Sequence, residues 1–467
     1  MSKSKNFASF FKMITVEPTF LLYWAVYVII DATNTNLLLQ KKCRLSAISE
    51  PDLNTACDDE KKGVLFATEM NSFYRFLMLF ICKFCAVFAV SWSDLAGRRR
   101  RPLILLPVIG QIIQAMFGCL HSYFWYWDPL TAMLSNIVIE MMTGGITLII
   151  FGAQMYVCDV SSMESRTMRL GFLSATRTLA DLLGYGGSGF ILRSIGFFYT
   201  YLVCFTVSVI SLILALALVK NISTPVDEKP RILDVFNVMK IVDSFKLIFK
   251  KSLGHKRMIV FVLLVIYTSV FFTTQGENGI LYLFLRYKFH WDERKYSSYV
   301  FYRYIGVIMG SIFCSVVLSK ILKVHDGIIG VFAGLFDTIA VLGYLFANQN
   351  WHLYIVPLFD IFHGTALSVS LSFMSKNYES HELGRLNSVI GIFGLIVPAC
   401  HPIYNGIFEK TLDVFPSAFF LLSISLDTIV VFLYCVTYYV SRKLEIREKV
   451  ITEEEEKQML DRNDSID

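Results

Sequence analysis

The sequence predicts an all-α polytopic membrane protein with twelve transmembrane helices in two six-helix bundles. Of its 467 residues, 55% are hydrophobic and only 17% are charged, whereas a soluble domain usually carries about 25% charged residues. The mean hydropathy is +0.55, and the charges cluster in short stretches between long apolar runs. Because unpaired backbone groups are too costly in lipid, such runs must cross a bilayer as helices. The chain lacks the stripe of Lys and Arg with interleaved aromatic residues that would indicate nucleic-acid binding.

Twelve segments have the length and apolar character of a membrane span, which needs about 20 mostly apolar residues. The first begins too far into the chain, and is too long, for a cleaved signal peptide, so we expect it to be retained. The predicted spans are Phe20–Leu39, Phe73–Ser91, Leu103–Leu120, Thr131–Val157, Leu170–Ile191, Phe197–Val219, Met258–Leu285, Val300–Leu322, Ile328–Phe346, Leu353–Met374, Ser388–Ile407 and Ala418–Val440.

A polar, basic linker divides these spans into two blocks of six. We expect an N-terminal bundle over 1–219, a cytoplasmic linker over 220–257, a C-terminal bundle over 258–440 and a cytoplasmic tail over 441–467. Within the linker, Ile232–Lys251 has helical periodicity and is predicted to lie along the membrane surface. With the N-terminus placed inside, 28 Lys and Arg residues fall in inside segments and 11 in outside loops. This bias predicts that both termini are cytoplasmic.

The cysteines and the missing motifs limit the possible chemistry. Eight of the ten cysteines lie inside apolar runs, where cysteine behaves as a small hydrophobic residue. Cys43 and Cys57 instead flank a polar, acidic loop, and they are predicted to form a disulfide if that loop faces an oxidising compartment. The alternative is two free thiols. The chain has no phosphate-binding loop, no HExxH and no paired CxxC motif, so we predict no metal, no cofactor and no enzymatic activity.

The loop between the second and third spans, Ser93–Pro102, combines an acidic residue, a turn glycine and four consecutive arginines. It resembles the GxxxD[RK]xGRR signature of the major facilitator superfamily, from which Val90 and Leu95 depart. The resemblance implies two halves that rock about a midplane site. The alternative role for this loop is a simple basic anchor at anionic headgroups.

The loop between the fourth and fifth spans, Asp159–Arg169, also mixes acids and bases. Ion pairs that exist in only one state of a transporter bias its conformational equilibrium. We therefore predict that both loops contribute to gating. The predicted gating residues are Asp94, Gly97, Arg98, Arg99, Asp159, Glu164, Arg166 and Arg169.

Several segments resemble the proton-coupled folate transporter family, solute carrier family 46, in family order along nearly the whole chain. The resemblance implies the twelve-helix major facilitator fold, cytoplasmic termini and proton-linked transport of organic anions across the plasma membrane or an endosomal or lysosomal membrane. The family includes folate carriers and members linked to bacterial cell-wall fragments, so membership does not define the substrate. The matching segments are Thr15–Pro18, Asp159–Arg169, Gly276–Tyr282, Arg286–Trp291, Ser375–Lys376, Glu382–Arg385, Pro402–Tyr404 and Phe415–Phe420.

Charged residues inside spans are the best functional candidates, since each is costly unless it is paired or hydrated. They are Asp31, Arg75, Lys83, Glu140, Arg177, Asp181, Glu277, Arg303, Asp337, Asp360, His363, His401 and Asp427.

Four residues are predicted to bind substrate. Arg177 and Arg303 are candidate receptors for an anion, because arginine can hold a carboxylate with two parallel hydrogen bonds. Asp31 and Asn34 belong to a polar run in the first span that is expected to line the cavity. The alternative for Arg177 is a simple pair with Asp181, four residues further along the same helical face.

Three residues are predicted to carry protons. Glu277 lies in mid-span beside Gly276 and Gly279, and a carboxyl group in such surroundings binds protons more tightly. Asp360 and His363 are three residues apart and share a helical face, and histidine changes charge near neutral pH. The alternatives are a structural hydrogen bond for Glu277 and a packing role for His363.

Together these observations predict a secondary transporter that moves a small organic anion, folate-like or related, together with protons by alternating access. Its expected partners are the anion, protons and membrane lipid, without nucleic acid. A second hypothesis is a non-transporting sensor or adaptor on the same fold, whose tail and linker recruit partners. An intramembrane enzyme ranks last, because no nucleophile or metal constellation can be assembled from the sequence.

Overall fold

The computed structural model describes residues 15–44, 49–51, 53, 57–95, 97, 99–161, 163–220, 256–376 and 389–463. Within these ranges the chain contains helices and no strand, so the all-α prediction is confirmed. The linker segment Ile232–Lys251 lies outside the described residues.

Thirteen α-helices are defined in these ranges, together with a short helical stretch at 389–393 and short 3₁₀ and π segments. They are α1 (Glu17–Cys43), α2 (Glu60–Leu95), α3 (Arg101–Tyr123), α4 (Pro129–Thr143), α5 (Gly145–Val160), α6 (Met163–Leu218), α7 (Lys256–Phe289), α8 (Glu293–Ile312), α9 (Asp326–Phe346), α10 (Asn350–Phe359), α11 (Thr365–Lys376), α12 (Cys400–Thr411) and α13 (Phe419–Asn463).

Ten helical stretches among the described residues are long and apolar enough to cross a membrane. Two further features bring this number into agreement with twelve spans. Helix α1 has 27 residues, which is a sufficient length, although it carries the polar run from Asp31. The stretch Arg169–Leu218 has 50 residues, about 75 Å of helix and enough for two crossings.

The chain direction changes inside α6 at Gly196. This glycine has φ of 77°, a left-handed conformation that glycine adopts without steric strain. The backbone N–H of Phe197 then donates to the Glu50 carboxylate at 2.5 Å, so an acidic loop residue caps the second half of α6. Burial raises the pKa of the Glu50 carboxyl, while hydrogen bonds from the Phe197 and Phe198 backbone act in the opposite direction.

One compact unit comprises the described residues within Met1–Val238, Gln275–Ile305 and Pro398–Phe419. Its apolar core is built from α1 to α6, with Phe20, Trp24, Tyr156 and Tyr201 among its buried aromatic residues. Polar side chains also cross between its helices. Gln111 on α3, for example, donates to the backbone carbonyl of Tyr23 at 2.9 Å.

A second compact unit comprises the described residues within Met239–Thr274, Gly306–Val397 and Phe420–Asp467. Its core contains Phe362, Ala366 and Tyr434, and the Tyr434 hydroxyl donates to the carbonyl of Ala366 at 2.6 Å. Gly310 permits the backbone of Ile361 to approach closely, since a Cβ at position 310 would lie 1.9 Å from the Ile361 carbonyl oxygen. The predicted division at the linker is not tested by these units and stays a prediction.

Candidate functional site

The first unit contains a cavity bounded by polar side chains from α1, α2, α6, α7 and α8. Asp31, Arg75, Asn278, Tyr282 and Glu293 supply much of its chemical character. The cavity combines one basic group, two acidic groups and several hydrogen-bonding groups. Apolar residues of α6 and α7 complete its walls, and sites for small molecules likewise combine apolar surface with polar groups that orient the ligand.

Asp31 and Arg75 form an ion pair in the wall of this cavity. The Arg75 Nη2 lies 2.8 Å from the Asp31 Oδ2, and the two side chains are 17% and 11% exposed. Asp31 is a predicted substrate-binding residue, and the structure places it at the cavity. Sequence reasoning recognised Arg75 as a charge within a span but gave it no role, because no local periodicity links residues 44 positions apart.

Asn34, the second predicted residue in α1, lines a separate, smaller cavity together with Asp31, Asn71, Tyr74 and Asn136. The Asn34 Oδ1 accepts a hydrogen bond from the Tyr201 hydroxyl at 2.5 Å. Asp31 lies at both cavities and is therefore the common point of the polar run in α1.

The predicted anion receptor Arg177 lies over the ring of Trp24, with its guanidinium carbon 4.4 Å from the ring centroid. Asp181, one turn further along α6, accepts from the Trp24 indole N–H at 2.6 Å. Trp24 thus joins the two charged residues. Sequence reasoning considered only a direct pair between them and overlooked the tryptophan, which is separated from Asp181 by 157 positions.

Arg303 on α8 is buried and its Nη1 donates to the Asn278 Oδ1 at 3.3 Å. Asn278 lines the larger cavity, so Arg303 contacts a residue of the cavity wall without lining the cavity itself. Glu277, the neighbouring residue on α7, is also buried at 6% exposure. The structure thus brings Arg303 and Glu277 near the cavity that contains Asp31, while Arg177 packs on Trp24.

An ionic cluster surrounds Glu293 at the end of the cavity. The Glu293 carboxylate contacts the Arg286 Nη1 at 2.6 Å and the Arg193 Nη1 at 3.2 Å. Arg286 also contacts Glu60 at 2.9 Å, and the Tyr282 hydroxyl donates to the side-chain Oδ1 of Asn36. Glu293 is only 2% exposed, and sequence reasoning missed it because it precedes the predicted eighth span.

Helices α6 and α8 come into close contact beside this ionic cluster. A Cβ at Gly189 would lie 2.0 Å from the backbone oxygen of Glu293, and the Gly189 N–H donates to the Ser297 Oγ at 2.8 Å. Gly186 likewise leaves space for the ring of Phe301. These glycines belong to a run in α6, and small residues of this kind permit close approach of helices.

The opposite end of the first unit contains the predicted gating loops. The Arg169 Nη2 contacts Glu17 at 3.1 Å, and the Arg100 Nε contacts Asp159 at 2.7 Å. Gly97 has φ of 78°, as a glycine turn requires, and Arg99 is exposed. Arg98 lies outside the described residues, as do the side chains of Asp94, Glu164 and Arg166.

The predicted pair Asp360 and His363 lies in the second unit and has a third member, Asp337 on α9. The His363 Nδ1 lies 3.3 Å from Asp360 and 3.7 Å from Asp337. Helix α10 ends at Phe359, and the 3₁₀ turn Asp360–Phe362 together with Gly364, at φ of 74°, directs the chain into α11. One candidate ligand atom from each of the three residues lies within 4.8 Å of the others, so the cluster has the geometry to share a proton or hold a cation.

Cys43 and Cys57 are joined as a disulfide at the end of α1, with their Cα atoms 5.7 Å apart. The bond closes the acidic loop that precedes α2.

Comparisons with known proteins agree with this architecture. The family model of the Major Facilitator Superfamily matches residues 75–400. The chain is 22% identical to the "Probable peptidoglycan muropeptide transporter SLC46" of Drosophila melanogaster, over 76% of this chain and 70% of the relative. It is 26% identical to the "Lysosomal proton-coupled steroid conjugate and bile acid symporter SLC46A3" of Bos taurus, over 80% of each chain.

Solved structures agree in fold. The human organic anion transporter MFSD10 (TETRAN) matches with a TM-score of 0.61 and 15% identity, over 90% of this chain and 97% of that chain. A POT family transporter in complex with a thioalcohol conjugated peptide matches with a TM-score of 0.63 and 11% identity, over 92% and 99%. These similarities support the major facilitator fold, and the relatives are transporters rather than enzymes. The protein is a membrane secondary transporter, and the chain belongs to the major facilitator superfamily.

Proposed function

We propose that this transporter moves a small organic anion across the membrane together with protons, by alternating access. The observation that carries the proposal is the Asp31–Arg75 ion pair in the cavity wall. A charged pair within a membrane-spanning region has a substantial energetic cost, and such groups commonly mark the pathway of a substrate or ion.

A substrate anion can exchange with the Asp31 carboxylate as the partner of Arg75. A carboxylate or sulfate group of the substrate can replace Asp31 on the Arg75 guanidinium, whose planar donors suit such groups. Asp31 then loses its counter-charge, and a proton near Asp31 restores neutrality. An anion and a proton are therefore bound more favourably together than separately.

The other predicted substrate contacts fit around this pair. Asn34 and Asp31 share the smaller cavity, and Arg303 supports Asn278 at the larger one. Arg177, stacked on Trp24, supplies a further positive charge for an extended substrate. Relatives named for muropeptide, steroid conjugate and bile acid transport support an organic substrate with acidic groups, and folate-like anions belong to the same chemical class.

Proton coupling is proposed at two places. Glu277 is buried and adjoins Asn278 of the cavity wall, so a carboxyl group lies beside the proposed anion site. Asp360 and His363, joined by Asp337, form an acid–imidazole cluster in which a proton can be shared. A relative named as a proton-coupled symporter supports this assignment.

We assign gating to the two loops of the first unit, at Asp94, Gly97, Arg98, Arg99, Asp159, Glu164, Arg166 and Arg169. The Arg100–Asp159 and Arg169–Glu17 contacts lie within the first six predicted spans, so Asp159 and Arg169 are proposed to act by holding the moving bundle rigid rather than by separating in each cycle. With both termini in the cytoplasm, these loops face the cytoplasm and the Cys43–Cys57 bond lies on the opposite side, where disulfides persist.

The membrane is proposed to be an endosomal or lysosomal membrane or the plasma membrane, and the SLC46A3 relatives, which are named as lysosomal, support the lysosomal alternative.

The disulfide is tested by electrophoresis of protein that a protease has cleaved between residues 43 and 57. The two fragments should separate only after reduction, and separation without a reductant would indicate free thiols.

The proposal is tested by uptake into proteoliposomes. A radiolabelled muropeptide, bile acid, steroid sulfate and folate are offered at about pH 5.5 outside and about pH 7.5 inside, a range in which histidine and shifted carboxyl groups titrate. We expect accumulation of at least one anion that a protonophore abolishes. Uptake indifferent to the pH gradient across the whole panel would remove proton coupling from the account.

Substitutions test the cavity. Arg75→Gln should reduce uptake of the transported anion, and Lys62→Gln on the exposed face of the same helix should not. The double variant Asp31→Asn with Arg75→Gln leaves no uncompensated charge and controls for folding. Full uptake by a folded double variant would show that the anion binds elsewhere.

A further inference from the structure

Glu140, near the end of α4, is a buried carboxyl group that the proposed function does not use. It is 4% exposed and lies three residues before the end of its helix. Its Oε1 accepts two hydrogen bonds, from the Tyr74 hydroxyl and from the Gln114 Nε2, each at 2.9 Å. One of the two carboxyl oxygens thus has two hydrogen-bond donors.

The second oxygen, Oε2, has no hydrogen-bond partner among the described residues. It faces the backbone at Gly145, where an added Cβ would lie 3.0 Å away. No Lys or Arg side chain of the described residues lies within ion-pair distance of Glu140. An ionised carboxylate with one bare oxygen and no counter-charge is strongly disfavoured in such a place, whereas a carboxyl that holds its proton on Oε2 is neutral.

The groups that face Glu140 make its charge dependent on the Asp31–Arg75 pair. Asp31 and Tyr74 line the same cavity and the Tyr74 hydroxyl donates to Glu140, so a bare charge on Asp31 lies close enough to act on Glu140, whereas Arg75 neutralises Asp31 in the present structure. The remaining titratable neighbours are hydroxyl and thiol groups that add no positive charge. They are Tyr23 and Tyr27 from α1 and Tyr74 and Cys82 from α2.

A route for protons leads to this carboxyl. Tyr74 lines the smaller cavity together with Asp31, and so does Asn136, one turn before Glu140 on α4. The Tyr74 hydroxyl that donates to Oε1 therefore connects the cavity with the buried group. Water in the cavity can supply a proton to the carboxyl and later accept it.

We propose that Glu140 is a proton-binding residue of the transport cycle, coupled through Asp31 to the anion that binds Arg75. This inference rests on the proposed anion site. When the anion displaces Asp31 from Arg75, the bare Asp31 carboxylate repels a negative charge on Glu140 and holds the proton on Oε2. When the anion leaves, Arg75 returns to Asp31 and the repulsion ends, so Glu140 holds its proton less tightly and can release it to water on the less acidic side of the membrane. Linkage requires the converse, so protonation of Glu140 tightens anion binding by the same factor.

The proton can be observed without any substrate by infrared difference spectroscopy of the purified, reconstituted protein between acidic and alkaline pH. A protonated, weakly hydrogen-bonded carboxyl has a C=O stretch of its own. We expect this band in the wild type and in Glu69→Gln, an exposed position on α2, and we expect a component to be missing in Glu140→Gln. If Glu140→Gln shows the same carboxyl C=O bands as the wild type, the proposal is wrong, whether or not a transported anion has been found.

Two further measurements separate a proton carrier from a structural carboxyl. Tyr74→Phe retains Glu140 but removes one donor from its Oε1, so the band should move to higher frequency, and an unchanged frequency contradicts the assignment. With a radiolabelled bile acid or muropeptide as probe, Glu140→Gln should retain anion exchange and lose gradient-driven accumulation by roughly 5- to 150-fold, the usual range of a coupling between sites. A wild-type infrared band combined with unchanged accumulation in Glu140→Gln would remove Glu140 from the cycle.

Discussion

The two ends of the first unit differ in what their ion pairs connect. Near the start of α1, Glu17–Arg169 and Asp159–Arg100 join only helices and loops of the first six predicted spans. Near the end of α1, Glu293 and Arg286 belong to α8 and α7, and they contact Arg193 and Glu60 of the first six spans. At one end the ion pairs therefore connect segments of a single predicted bundle. At the other end they connect segments of the two predicted bundles.

This difference indicates which ion pairs can break and reform during the transport cycle. A pair within one rigid bundle can persist through a transport cycle, whereas a pair between moving segments must break and reform. The Glu293 cluster is buried and shared by two arginines. Its arrangement suits a contact that closes one side of the cavity in the present state, and the predictions below test this assignment.

The largest effect is expected from Gly189→Ala. The added Cβ would lie 2.0 Å from the Glu293 carbonyl oxygen, so α6 and α8 must separate at a cost of about 3 kcal/mol or more. Uptake into proteoliposomes should fall almost to background. Gly171→Ala on the same helix meets no atom within 4 Å and serves as the matched control, whose uptake should equal that of the wild type.

A smaller effect is expected from Glu293→Gln, which removes the charge shared by Arg193 and Arg286. The lost charge-assisted hydrogen bonds amount to about 2 kcal/mol, roughly thirtyfold in the population of the separated state. Labelling of Ser188→Cys in the cavity wall by a membrane-impermeant maleimide should rise from the side on which α1 ends. Equal labelling with and without Glu293→Gln would exclude a closing role for the cluster.

Arg169→Gln should affect stability more than transport. It leaves Glu17 buried without its basic partner, a change of about 3 kcal/mol in unfolding free energy, yet it breaks a contact inside one bundle. We expect a lower melting temperature by fluorescence and a nearly unchanged uptake rate per folded molecule. A tenfold loss of that rate would place the Arg169 contact among those that switch.

The smallest effect is expected from Asp413→Asn. Its partner Lys61 lies 2.5 Å away, but the two side chains are 64% and 48% exposed, and exposed pairs contribute at most about 1 kcal/mol. Uptake and maleimide labelling should both match the wild type. A change as large as that of Glu293→Gln would mean that burial does not distinguish the contacts at this end.

Hydropathy alone predicted the helical architecture, because a membrane span must satisfy length and composition locally. Several site residues were also recognisable from sequence, since a charge in a span is conspicuous wherever it lies. Their partners were not. Arg75 meets Asp31, and Trp24 meets Asp181, across 44 and 157 positions, and only helix packing determines such pairs. Glu293 escaped notice because a charge at a helix start resembles any loop residue until its burial is known.

The most direct test of the account is to record anion and proton movement together, in proteoliposomes that begin without a pH gradient. Addition of the transported anion should acidify the vesicle lumen, as reported by an enclosed pH-sensitive dye, in step with entry of the radiolabel. Arg75→Gln should abolish both signals, and Lys62→Gln neither. Entry of the anion into wild-type vesicles without accompanying protons would contradict the coupling of anion and proton at the Asp31–Arg75 pair.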